Sequence, residues 1–152
     1  MENIPDINIT QPVGRILSRL GKSYLRLLNA RLNFLDIKRS YYALRLIELG
    51  ESKITQKELA QQLETDKVSI VRVIDYLAAK GYVDRVKSPT DRRKHCLTLT
   101  DKANKAMPRI KKALNELNET AFEGLSESQK YAFYLTLETI KNNLKKADIS
   151  RI

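Results

Sequence analysis

The residues best suited to chemistry lie between positions 65 and 94. Arg85, Lys87, Arg92, Arg93 and Lys94 crowd the stretch 85–94 against one carboxylate, Asp91. Such a cluster does not build a core. It suits a polyanion, either by following phosphates or by placing an arginine in a narrow, strongly negative minor groove. Asp91 is expected to fix the direction of Arg93 by an ion pair. Upstream, Lys67, Ser69 and Arg72 fall on the polar faces of a helical stretch, with Ile70 in the same contact set. A guanidinium at Arg72 can donate bidentately to guanine O6 and N7. Thr65, Ser69 and the amides of a helix N-terminus can hold phosphate. Each feature also has a plainer reading, an amphipathic helix with a solvated face and a solvated turn.

Catalytic and metal chemistry find little support. His95 is the one histidine and Cys96 the one cysteine. Neighbours on a strand point to opposite faces, so the two cannot share a tetrahedral site within a chain. No Ser/His/Asp or Cys/His arrangement is credible. Gly21-Lys22-Ser23 mimics the end of a phosphate-binding loop, but Ile16 stands where the motif needs its first glycine, and the stretch reads as helix. We therefore expect no enzyme, no cofactor and no metal.

The whole chain agrees with a polyanionic partner. Its 152 residues carry 28 basic and 18 acidic side chains, a formal charge of +10. That favours nucleic acid first and an anionic membrane surface second. With 42% hydrophobic and 30% charged residues, general disorder is excluded. No apolar run reaches the length of a membrane span. Met-Glu-Asn-Ile-Pro-Asp lacks the charge and apolar pattern of a signal peptide, and one cysteine makes no internal disulfide, so a cytoplasmic location is expected.

Few glycines and prolines punctuate the chain, so long helices should position these groups. Val13, Ile16, Leu17, Leu20, Tyr24, Leu27, Leu28 and Leu32 keep helical spacing over about 12–33. Asp36 is a plausible N-cap for a second helix ending at Gly50. Thr55-Gln-Lys-Glu58 is a capping box opening a short helix over about 56–63. Asp66 caps a fourth helix over about 67–80, with the stripe Ile70, Val73, Ile74, Leu77 and a closing Gly81. Residues 82–87 and 94–99 alternate as a β-hairpin with a long basic tip. Thr100 caps a helix over about 101–122, which Pro108 should kink unless it sits in an early turn. Ser126-Glu-Ser-Gln129 opens the last helix. The expected fold is mainly α with a small β-hairpin wing, a winged helix-turn-helix flanked by terminal dimerisation helices. Its regions are an arm and first helix (1–34), the winged helix-turn-helix (35–100) and C-terminal dimerisation helices (101–152).

Several of these motifs resemble one family. Ser88-Pro-Thr-Asp-Arg-Arg-Lys-His-Cys-Leu-Thr-Leu-Thr100 is similar to the wing of the MarR family of bacterial transcriptional regulators. Ile54-Thr-Gln-Lys-Glu-Leu-Ala60 and Ser69-Ile-Val-Arg-Val-Ile-Asp-Tyr-Leu77, with Lys80-Gly81, look like its helix-turn-helix, and Leu35-Asp36 followed by Leu44 resembles its second helix. Ser-Ile-Val-Arg and Asp-Arg-Arg-Lys are similar in wording to the SlyA branch. The resemblance spans residues 12–145 and implies a homodimer on a pseudo-palindromic duplex operator. Its first, fifth and sixth helices would interlace, Arg72 would read bases, and Arg93 would enter the minor groove. It also implies a repressor released by a small aromatic or phenolic effector bound between lobes. Tyr24, Arg31, Tyr41, Tyr42 and Arg45 lie where that cleft would be; a plainer reading makes most of them core or dimer packing. Departures from the thiol- and zinc-sensing branches are clear: no cysteine begins the first helix, and histidines are not clustered. A sequence-tolerant architectural DNA-binding protein is the alternative. Ile4, Ile7 and Ile9 of the arm, with the stripes of the last two helices, are expected to pack on a second copy.

Overall fold

The structure is a computed structural model describing residues 7–149; Ile4 lies outside the described residues. In order come α1 (Val13–Arg31), α2 (Tyr41–Leu49), α3 (Gln56–Gln62), α4 (Lys67–Ala79), β1 (Val83–Lys87), β2 (His95–Leu99), α5 (Asp101–Ala121) and α6 (Glu127–Ile149). The chain divides into two compact units, one ending at Leu117 and the other beginning at Asn118. Pro108 stands inside α5, whose helical run continues through it.

The caps explain most boundaries. At α3 the Thr55 main-chain N–H donates to Glu58 Oε2 at 2.8 Å, and the Glu58 N–H donates to Thr55 Oγ1 at 3.2 Å. Two otherwise unpaired amides are thereby satisfied at a helix start. Gly81 closes α4 at φ +78°. The Tyr82 N–H returns to the Leu77 carbonyl at 2.9 Å, a chain reversal that favours a residue without a Cβ. Thr100 caps α5 by accepting from the Ala103 N–H at 3.2 Å, while its hydroxyl donates to the Gly81 carbonyl at 2.6 Å.

Asp36 corrects one expectation. It does not cap α2, whose N-cap is Ser40 in the left-handed region. Its carboxylate instead accepts from the Tyr82 hydroxyl at 2.7 Å and from the Lys102 ammonium at 2.8 Å. Lys102 also donates to the Lys80 carbonyl at 2.8 Å. One carboxylate therefore joins the α1–α2 connection, the end of α4 and the start of α5. The hydrogen bond from Lys102, followed by that from Tyr82, holds the Asp36 carboxyl down from its ordinary 3.8 to about 2, against a smaller opposing effect of burial. A depressed folded value makes the ionised form the stabilising one. Its contribution is complete above the unfolded value near pH 4 and is lost as pH falls toward 2. Half the side chain is exposed, so screening limits the effect to about 1 kcal/mol. Asp36→Asn should therefore lower thermal stability at neutral pH and flatten its decline between pH 4 and 2. Parallel melting curves for parent and variant across that window would refute this role.

The core of the first unit gathers Leu32, Ile37, Leu44, Leu59, Ile74 and Met107, all fully buried. The two strands pair antiparallel, Val83 opposite Leu99 through Lys87 opposite His95. The Leu97 N–H donates to the Ile54 carbonyl at 2.8 Å, tying the wing to the segment before α3. The second unit is different. Phe122, Phe133 and Tyr134 form a ring trio with centroids 5.6–5.8 Å apart. The Ser126–Gln129 capping box forms, with bonds of 2.8 and 3.2 Å. None of its described residues is fully buried, as expected of a helical pair too small to enclose its own apolar side chains.

Candidate nucleic-acid interface

Helix α4 turns its stripe Ile70, Val73, Ile74, Leu77 inward and Lys67, Arg72 and Asp75 outward. Ile70 therefore leaves the contact set: it is 1% exposed and packs in the core, as its place in the stripe requires. Two neighbours of the stripe were not singled out in the sequence. Val68 is 62% exposed and Val71 38%, so the outer face carries two β-branched apolar side chains between its cations. Such groups can contact a thymine methyl. The available signal was their position off the buried stripe.

The start of α4 is already occupied by its own cap. Asp66 Oδ1 accepts the Ser69 N–H at 2.7 Å, and Oδ2 accepts the Ser69 hydroxyl at 2.9 Å. The main-chain bond first, then the hydroxyl, lowers the Asp66 pKa from its ordinary value, so the cap is ionised. A phosphate approaching these amides meets a carboxylate, which weakens the expected roles of Ser69 and the helix terminus. Thr65 is half-buried; its N–H donates to the Ala60 carbonyl at 3.0 Å. Lys67 and Arg72 remain as exposed donors.

The wing is braced against this helix. The Arg85 guanidinium pairs with Asp75 of α4 at 2.5 Å, so Arg85 is a strut. At the tip, Ser88 Oγ accepts from the main-chain N–H of Thr90 and Asp91 at 3.3 and 3.4 Å. Ser88 N–H meets the Lys94 carbonyl at 2.9 Å. Asp91 again differs from expectation. Its Oδ1 accepts the main-chain N–H of Arg93 at 3.0 Å, and among the described residues it forms no ion pair with that guanidinium. An aspartate two residues before a turn amide makes this local bond at less conformational cost than ordering a long side chain. Asp91 shapes the turn, leaving the exposed Arg92 and Arg93 without a carboxylate partner among the described residues. Lys87 is exposed on β1, and so is Lys94; the Glu58 pKa is lowered chiefly by its hydrogen bonds with Thr55, to which the charge of Lys94 adds little.

This geometry separates two variants. Asp91→Asn keeps an acceptor for the Arg93 N–H and removes a negative charge, so it should bind duplex DNA more tightly than the parent. Asp91→Ala also loses the turn bond and should bind more weakly than Asp91→Asn, by about 0.5–1.5 kcal/mol. Fluorescence anisotropy reads both; equal affinities for the two variants would remove the turn from the argument.

The residues expected at an effector cleft are only partly brought together. Tyr24, Tyr41 and Tyr42 line one cavity of about 380 Å³ with Leu25, Leu28 and Val73. The Tyr41 hydroxyl lies 2.7 Å from Asn29 Oδ1 and 2.9 Å from the Ile37 carbonyl, and burial pushes its pKa up to about 12. The arginines are not part of that lining. Arg31 pairs with Glu116 at 3.3 Å, and Arg45 with Glu48 at 2.6 Å. Of the metal candidates, Cys96 is buried with its thiol 3.4 Å from the Lys53 carbonyl, while His95 is exposed. No cluster of three metal-ligating side chains occurs among the described residues. No helix among them is long and apolar enough to cross a membrane.

The sequence model of the MarR family matches residues 36–94, which include α2, α3, α4 and the basic wing tip. A solved mutant MarR from E. coli, complexed with operator DNA, superposes with a TM-score of 0.71 at 26% identity, over 85% of this chain and 93% of that one. The matched segment and the fold are thus similar to those of MarR-family proteins. The chain also shares the fold of the transcriptional regulator SlyA, with a TM-score of 0.75 at 20% identity, over 90% and 96% of the two chains. A Thauera aromatica protein assigned to transcriptional regulation of its hcr operon is 32% identical over 89 residues. That match covers 59% of this chain, and the chain spans about half, 54%, of that relative's length. The fold is that of solved MarR-family transcriptional regulators.

Proposed function

We propose that this chain is a MarR-family protein, a sequence-specific regulator of transcription that binds duplex DNA as a homodimer, as a repressor. The observation that carries this reading is the braced pair of α4 and the wing. Lys67, Val68, Val71 and Arg72 share one exposed helix face, Arg85 and Asp75 join that helix to the wing, and Arg92 and Arg93 stand unneutralised at its tip. One element is suited to base edges and the other to a minor groove or phosphates. Dimerisation is supported by exposed apolar side chains within each unit: Ile16, Leu17 and Leu20 on α1, and Phe133, Leu135 and Leu144 on α6. Ile7 and Ile9 of the arm are exposed as well. In a dimer the two α4 helices are expected about 34 Å apart, or able to reach that spacing, to meet successive major grooves.

The tyrosine-lined cavity supports release by a small aromatic ligand. With Arg31 and Arg45 held by carboxylates elsewhere, its chemistry fits a neutral phenol better than an aromatic carboxylate. The test is footprinting on the DNA upstream of the chain's own gene, with and without added phenols. A two-fold-symmetric protected site that a phenol releases is the expected result. Protection without sequence preference would favour the architectural alternative.

A further inference from the structure

The most uneven charge in the molecule is on α1, outside the surface just described. Helix Val13–Arg31 contains Arg15, Arg19, Lys22, Arg26 and Arg31 and not one acidic residue. Arg31 has a carboxylate partner in Glu116. The other four form no ion pair among the described residues, and all four are exposed. Outside α1 and the α4–wing surface, several cations have carboxylates beside them, as at Arg45–Glu48, Lys111–Glu48 and Lys102–Asp36.

Their spacing is regular. At 3.6 residues per turn, positions 15, 19, 22 and 26 fall within about 60° of arc. The exposed apolar residues Val13, Ile16, Leu17, Leu20, Leu25 and Leu27 centre about 145° away, and Leu28 supplies the one contact buried in the core. A second copy covering the apolar face would therefore leave the cationic face open. Helix stability does not account for the stripe. Like charges three and four residues apart repel, and Arg15 in the first turn opposes the helix dipole. An arrangement that costs the helix stability when bare is relieved by an anionic surface of matching length. From Arg15 to Arg26 the helix rises about 16 Å, a length over which one DNA strand presents four to five phosphates.

We propose that this face of α1 is a second DNA-binding surface, holding the phosphate backbone of a duplex without reading its sequence. The choice of DNA rests on the proposed function; the stripe itself does not. One surface would then set where the protein sits, and the other would grip flanking or neighbouring duplex through charge alone.

The experiment uses a mixed-sequence duplex several helical turns long, titrated by anisotropy over a salt series. Two variants are compared with the parent: R15Q/R19Q/K22Q/R26Q on α1, and K67Q/R72Q/R93Q on α4 and the wing. At about 0.9 per phosphate, the α1 variant, with four charges removed, should lose about 3.6 units from the slope of log affinity against log salt. It should also melt higher than the parent at low salt, because the repulsion is gone. A slope within one unit of the parent's, while the α4 and wing variant lowers it, overturns the α1 surface and leaves an acidic protein as its occupant. If neither variant changes the slope, the DNA reading falls and the α1 proposal with it. A lower melting point for the α1 variant would refute the repulsion argument.

Discussion

Leu20→Glu should convert the protein from a dimer to a monomer of 17.5 kDa in sedimentation. Leu20 is 60% exposed in the single chain, so its replacement removes nothing from the first unit's own core. In a dimer the same side chain would be desolvated among Ile16, Leu17 and their counterparts. Burying an unpaired carboxylate there costs several kcal/mol, enough to dissociate a modest interface. DNA affinity should fall with assembly, because each half-site must then be bound separately. Loss of an effective concentration in the millimolar range weakens binding to a two-fold site by about 100-fold or more. The monomer should keep its helical circular dichroism and its core melting transition. A parent that sediments as a monomer, or a Leu20→Glu chain that remains dimeric, would remove α1 from the interface.

The second large effect is expected at Arg72. Arg72→Ala should cost about 1–3 kcal/mol at the preferred operator and much less on scrambled duplex, because a bidentate bond to guanine distinguishes bases whereas a phosphate contact does not. Arg72 is exposed on the outer face of α4 and holds up nothing in the core, so the loss should leave the melting transition unchanged. Arg93→Ala should weaken many sequences, most where an A/T-rich flank narrows the minor groove. Lys87→Ala, meeting only phosphate, should lower affinity almost uniformly and reduce the salt slope by about one unit. Anisotropy on specific and scrambled duplexes separates the three patterns. Equal losses for Arg72→Ala on both would favour the architectural protein over the regulator.

These predictions rest on different kinds of legibility. The helices, both capping boxes, the closure at Gly81 and the hairpin were readable because their causes are local. A capping box joins residues three apart, a stripe repeats every three to four, and a hairpin alternates by two. The cations at 67, 72, 92 and 93 were readable for a related reason. Charged side chains at positions off the buried stripe, or on a basic turn, have nowhere to go but solvent or a partner.

What the sequence could not decide was which charges are cancelled. Asp36 reads as a helix cap, yet its partners Tyr82 and Lys102 lie 46 and 66 positions away. Arg31 reads as an anion-binding group near three tyrosines, yet Glu116, 85 positions away, neutralises it, whereas the Arg45–Glu48 pair spans three positions of one helix and was open to reading from spacing. Asp91 reads as a partner for a guanidinium and instead holds a main-chain N–H. By itself, then, the sequence determined the elements, their order, the basic wing and the outward face of α4. Only the tertiary structure decided which cations stay free for an anion. Ion pairs form between whichever surfaces folding brings within about 4 Å, and that proximity leaves no periodic trace along the chain.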